Sequence, residues 1–138
     1  VGRIVIGSSI LLATRHTHRL FGIGSEHDTA ALRVMSRLFG IRDVVLGVWA
    51  LSARDRAPAS RRVCYRVNAA VDAADLVALL IGAASGEGLV RAAVMAGAFG
   101  GVGLVSWLEL VGDVLADEAR AARPTASSRD QRSPPVHT

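Results

Sequence analysis

Residues 92–110 read "AAVMAGAFGGVGLVSWLEL", nineteen positions with one charge, at Glu109. Starting two residues earlier adds only Arg91, and the other polar side chains before Glu109 are Ser106 and the Trp107 indole. A helix on the surface of a water-soluble bundle shows a polar stripe repeating every turn, and this one has no such face. A chain of 138 residues has too much surface for its volume to hide several helices of this kind in an aqueous core. The stretch therefore predicts a helix in lipid, where a hydrocarbon core of roughly 30 Å takes about 20 helical residues.

Three other stretches read alike. Residues 1–13, "VGRIVIGSSILLA", hold one charge; 38–53, "LFGIRDVVLGVWALSA", hold two; 67–85, "VNAAVDAADLVALLIGAAS", hold two. The expectation is an all-α, four-span transmembrane helical bundle over residues 1–116, followed by a disordered Arg/Pro/Ser-rich tail at 117–138. Composition agrees, with 51% hydrophobic residues and a mean hydropathy of +0.36. The 16 basic side chains are all arginine, and the formal net charge is +4.

Charge placement predicts the orientation. Residues 54–66, "RDRAPASRRVCYR", carry five arginines against one acid, and Arg120, Arg123, Arg129 and Arg132 follow the last span. With four spans these regions share a side, and the positive-inside rule makes that side cytoplasmic. The short acidic "SGEG" at 85–88 suits an outer turn, whereas Arg15, Arg19 and Arg33 in the first connection run against the asymmetry. Trp49, Tyr65 and Trp107 fall towards the cytoplasmic interface, where amphipathic rings settle. The predicted location is the cytoplasmic membrane, multi-pass, with both termini inside.

"RLFGI" occurs at 19–23 and again at 37–41. Each copy sets a cation at headgroup level ahead of apolar bulk, an anchor if the match is not coincidence or the trace of a duplicated hairpin. Gly22 and Gly24 can end the first helix, and Ser25 with Asp28 resembles a capping box, predicting a helix from 25 to 52. Arg33 and Arg37, four apart, would reach lipid phosphates from one face.

The second copy runs into Arg42 and Asp43. Arg42 lies twelve residues before Arg54, roughly 18 Å along a helix and near mid-membrane. A charge facing lipid there costs about 2.5–3.5 kcal/mol, so each needs a partner from another helix. Asn68, Asp72 and Asp75 share one face of the third span. Asp75 sits roughly 13 Å past Arg66, so Arg42–Asp75 is the expected pair, with Arg42, Asp43, Asp72 and Asp75 as a buried polar network. Asp43 is left with Ser8, Ser9 or its own protonation. Glu109 and Asp113 form an acidic face at the cytoplasmic end of the last span. Gly97 and Gly101, spaced four apart after Ala93, predict close helix packing, within the chain or with another.

Catalytic signals are weak. His16, His18 and His27, with Glu26 and Asp28, have no recognisable zinc spacing and read as exposed interfacial side chains, so no metal is expected. Cys64 lies among arginines, which can lower a thiol pKa, but no base accompanies it. Phosphate-binding and nucleophile-elbow motifs do not appear, and "GAFGGVG" at 97–103 lies inside an apolar helix. No catalytic residue, cofactor or nucleic-acid partner is expected. The expected partners are membrane lipids and another membrane protein or a second copy.

The glycine-rich opening (Gly2, Arg3, Gly7), the corner Leu20–Phe21–Gly22, and the stretch Arg37, Phe39, Gly40, Arg42, Asp43, Gly47 resemble a family of small bacterial four-helix integral-membrane proteins whose domain has no assigned function. The likeness covers about residues 1–115 and implies the architecture alone. Three functions stay open: a structural or accessory subunit, a proton-coupled small-solute carrier using intramembrane carboxylates, or a membrane enzyme acting on lipid. The last would require Asp72, Glu109 and Asp113 to share one cytoplasmic-side cleft.

Overall fold

The computed structural model describes residues 1–85 and 90–123; the acidic connection at 86–88 and the tail from 124 onward lie outside the described residues. Within them the chain forms five helices: α1 (Gly2–Leu12), α2 (Thr14–Leu20), α3 (Ala30–Ala53), α4 (Pro58–Ala84) and α5 (Val90–Ala121). The fold is an all-α bundle in which α4 and the Ala93–Ala121 part of α5 are long and apolar enough to cross a membrane. α1 is too short to do so alone, at about 16 Å. α3 has the length, but Arg33, Arg37, Arg42 and Asp43 lie within it.

Two expected boundaries move and one holds, each for a local reason. The first helix breaks at Ala13 but runs on towards its expected end at Gly22. After the single non-helical Ala13 it resumes as α2, and the Thr17 hydroxyl donates to the Ser9 and Ala13 carbonyls at 3.1 Å. α2 then ends where glycine permits it. Gly22, at φ 76°, donates to the Arg19 carbonyl at 3.0 Å, and Ile23 donates to His18 at 2.9 Å; this is a Schellman ending. α3 begins at Ala30 rather than Ser25, because Thr29 is its cap and accepts the Leu32 N–H at 3.2 Å. Asp28 closes no capping box, being held by His18 and Arg33. The boundary expected at 116 falls inside α5, which an Arg62–Glu118 ion pair ties to α4.

The helices form two antiparallel hairpins, α1 with α3 and α4 with α5, joined along α3 and α4. Glycine sets the first seam. A Cβ on Gly7 would lie 2.6 Å from the Gly40 carbonyl oxygen, and one on Gly47 2.6 Å from the Ile4 side chain. In the second hairpin Leu76 packs against Gly97 and Gly100, while Gly103 leaves room for the Asp72 carboxylate. Gly101 has nothing within 4 Å. The internal contact expected of Gly97 and Gly101 therefore falls chiefly to Gly100 and Gly103.

Large apolar side chains are exposed while several polar ones are buried. Val45 and Val48 on α3, Leu80 and Ile81 on α4, and Val94, Val102 and Val105 on α5 are exposed, whereas Thr14, Thr17, His18, Asn68 and Asp72 are buried. Apolar burial gathers where α3 ends, α4 begins and α5 descends: Ala50, Ala53, Cys64, Tyr65, Val111 and Val114, with Trp107 against them. Tyr65 belongs to this cluster, its ring centroid 5.9 Å from that of Trp107. It is therefore a core residue and not the interfacial anchor expected.

Candidate functional site

Between the hairpins lies a cavity of about 1040 Å³. α1 and α5 make no close backbone approach among the described residues, so the ion pairs below bridge the space between the hairpins. Phe21 and Phe99 meet at 6.1 Å towards one end, and Tyr65 and Trp107 lie towards the other, beyond which Arg54 and Arg61 line the cavity.

Five charged side chains line its middle: Arg3, Arg42, Asp43, Asp72 and Asp75. The antiparallel register explains their meeting. Gly7 crosses α3 at Gly40 and Val44, so Arg3, one turn earlier on α1, comes beside Asp43 and Gly47. Asp72 and Asp75 face inward from α4 at neighbouring turns. Arg42 donates to Asp75 through two parallel bonds, Nη1 to Oδ1 at 3.0 Å and Nη2 to Oδ2 at 2.6 Å, the fork geometry that guanidinium and carboxylate favour. Arg3 bonds Asp72 through Nη2. Asp43 is placed differently. Its Oδ1 lies 3.6 Å from Arg3 Nη1 and 3.5 Å from Arg42 Nη2, beyond the usual range of a strong hydrogen bond. Phe39 supports Arg42, whose guanidinium carbon is 4.9 Å from the ring centroid.

The site therefore holds the four residues expected and adds Arg3, which sequence reasoning missed. Ser8 and Ser9 make no bond to Asp43 among the described residues; Ser9 donates to the Val5 carbonyl instead. The signal for Arg3 was its spacing. It is the only charge in the opening stretch and stands four before Gly7, which matches the interval from Asp43 to Gly47 on a helix running the other way. Asn68, the third residue expected on this face of α4, is fully buried and donates to the Cys64 carbonyl at 3.0 Å.

Other candidates separate from this centre. Glu109 and Asp113 are exposed on α5 and outside the cavity lining that Asp72 joins, so the three carboxylates do not converge. Cys64 is fully buried beside Asn68 and is not presented as a nucleophile. Among the described residues no group of three potential metal-binding side chains occurs.

His18 is not the exposed interfacial side chain expected. It is 4% exposed, with Nδ1 3.0 Å from Asp28 Oδ1 and Nε2 2.8 Å from the Ser36 hydroxyl. Because a carboxylate only accepts, Nδ1 carries the proton, and in the neutral ring Nε2 accepts from Ser36. Arg33 is drawn to the same corner, donating to the Asp28 carbonyl at 2.8 Å and pairing with its carboxylate at 3.2 Å, so it does not reach outward with the exposed Arg37. The hydrogen bond from His18, with the Arg33 charge beside it, holds the Asp28 carboxyl below the ordinary carboxylate value.

No protein-family model, no curated protein and no solved structure matches this chain. The functional reading therefore rests on its own geometry.

Proposed function

We propose that the chain is a multi-pass protein of the cytoplasmic membrane, with four spans and both ends cytoplasmic, serving as a small structural or accessory subunit without a reaction of its own. The first span is α1 with α2, and the others are α3, α4 and α5. The antiparallel hairpins bring the start of α1 and the end of α5 to one end of the bundle, the end that also holds the arginine-rich 54–66 connection. The most apolar windows of α4 and α5 are 17% and 0% buried within the chain. Lipid tails suit such surfaces, and water does not. α3 fits the same scheme because Arg42 and Asp43 turn inward.

The observation that carries the subunit role is the pairing of Arg3 with Asp72 and of Arg42 with Asp75, each joining one hairpin to the other. Apolar faces gain little by leaving lipid for one another, so helices there are held by close packing and polar contacts. The ion pairs supply that hold, and the apolar exterior is left to lipids, another membrane protein or a second copy. Purification in mild detergent, with mass identification of whatever accompanies the chain, tests the reading. A complex with a second membrane protein supports it.

The cavity favours a second reading, a proton-coupled carrier for a small solute, because a purely structural clasp needs no space beside its charges. Asp43→Asn and Asp75→Asn discriminate. Loss of assembled protein in both variants supports the clasp; normal assembly with loss of pH-gradient-driven transport supports the carrier.

A further inference from the structure

We infer that the cavity between the hairpins is a binding site for one single-chain lipid anion, a long-chain fatty carboxylate, with its head held by Arg54 and Arg61 and its tail between the hairpins. The inference rests on the proposed membrane setting and goes beyond the subunit reading by giving the cavity a ligand.

Charge balance is the first argument. The cavity lining carries four arginines against three aspartates. Arg3 and Arg42 are engaged by Asp43, Asp72 and Asp75. Arg54 and Arg61 belong to none of the ion pairs among the described residues, so the positive excess lies with them. Three guanidinium nitrogens are buried without a hydrogen-bond partner among the described residues: Arg3 Nη1, Arg42 Nε and Arg61 Nε. The first two lie among three carboxylates, which repel an anion. Arg61 has no such neighbour in an ion pair, and its side chain lacks the acceptor that burial calls for. A carboxylate entering at this end meets two guanidiniums, each with the fork of donors that fits it.

Depth and wall chemistry define the rest of the ligand. Arg54 and Arg61 lie eleven residues along their helices from Asp43 and Asp72 respectively, roughly 16 Å away. That is about one leaflet of a hydrocarbon core of roughly 30 Å. Between the two levels the cavity is walled by Gly47, Ala50, Leu51, Tyr65, Trp107 and Leu110, with no charge among them. A head beside the arginines and an acyl chain running inward follow the depth profile of a lipid in the cytoplasmic leaflet. A volume of about 1040 Å³ lies at the upper end of the roughly 300–1,000 Å³ typical of small-molecule sites; a diacyl lipid would leave its second chain outside. The space between α1 and α5, whose backbones do not approach among the described residues, admits a ligand already dissolved in lipid. One carboxylate also matches the single charge by which the arginines of the lining outnumber its aspartates.

The test uses the full chain in phosphatidylcholine nanodiscs at alkaline pH, where a fatty head is ionised, with dibromostearate as probe and its methyl ester as the uncharged control. Trp107 lines the cavity and Trp49 does not, so a Trp49→Phe background leaves Trp107 as the reporter, quenched by bromine on contact. The acid should quench it saturably at about one per chain, and the ester should give no saturable quenching. Arg61→Gln should weaken the acid by about tenfold or more. Arg54 is exposed and outside every ion pair above, so Arg54→Gln should assemble normally and weaken binding likewise; it decides the matter if Arg61→Gln fails to assemble. Oleate should displace the probe, and phosphatidylglycerol should not. Saturable quenching by the ester, wild-type affinity in Arg54→Gln, or displacement by phosphatidylglycerol overturns the site. Alkaline washing of the source membranes keeps the two failures apart. A chain that stays with the membrane but binds no probe refutes the site alone; a chain released to the supernatant refutes the membrane setting as well.

Discussion

Gly7→Ala adds one methyl group at the tightest point between α1 and α3. The new Cβ would lie 2.6 Å from the Gly40 carbonyl oxygen and 3.0 Å from both the Asp43 Cβ and the Val44 nitrogen, where ordinary contact begins near 3.4 Å. Two of those neighbours are backbone atoms and cannot turn aside, so α1 must retreat by about 0.8 Å. Overpacking of this kind costs about 1–3 kcal/mol. The retreat also carries Arg3 away from Asp43, already at 3.6 Å, and strains its bond to Asp72. Unfolding in mixed detergent micelles, followed by circular dichroism, measures the loss. Gly101→Ala is the control, since nothing lies within 4 Å of its Cβ position; it should be neutral or stabilise by up to about 1 kcal/mol through helix propensity alone. Equal stability of Gly7→Ala and Gly101→Ala would refute the glycine seam as the contact that brings Arg3 to its partners.

The two interhairpin pairs should both matter. Asp72→Asn strands Arg3 and Asp75→Asn strands Arg42; inside the proposed bilayer no bulk water screens the charge left behind, so each should cost about 3–5 kcal/mol, both read in the same micelle assay. The α2–α3 corner should loosen in acid. The folded Asp28 value lies below the ordinary 3.8, so its contribution is complete above that pH and is lost as pH falls through the lower folded value; limited proteolysis with an acid-active protease should show the corner opening in that window, while Asp28→Asn removes the pH dependence.

Much of the site was legible because depth along a helix follows from residue count. Arg42 and Asp75, measured from the arginine-rich connection that joins their helices, come out at similar depth, and the structure brings them together. Arg3 was hidden because α1's partner and register depend on Gly7 meeting Gly40, a contact between residues thirty-three apart that no local pattern specifies. His18 was misread for a related reason. "TRHTHRL" looks like solvent-facing text, but α2 continues the first helix and lays this polar face against Ser36 of α3. The start of α3 turned on a choice between neighbouring caps, and Thr29 won because Asp28 is drawn to His18 and Arg33. α3 reads as less apolar than the other long helices partly through Arg42 and Asp43, which count against it in composition yet turn towards other helices.

The central claim is that lipid surrounds these apolar helices while the charges face one another inside. Its most direct test combines alkaline extraction of membranes with protease treatment of sealed vesicles, using epitopes placed before Val1 and after Thr138. The chain should remain in the alkaline pellet, with both epitopes digested in everted vesicles and both protected in right-side-out ones. A chain recovered in the supernatant as a detergent-free monomer, or epitopes on opposite faces, would contradict the account.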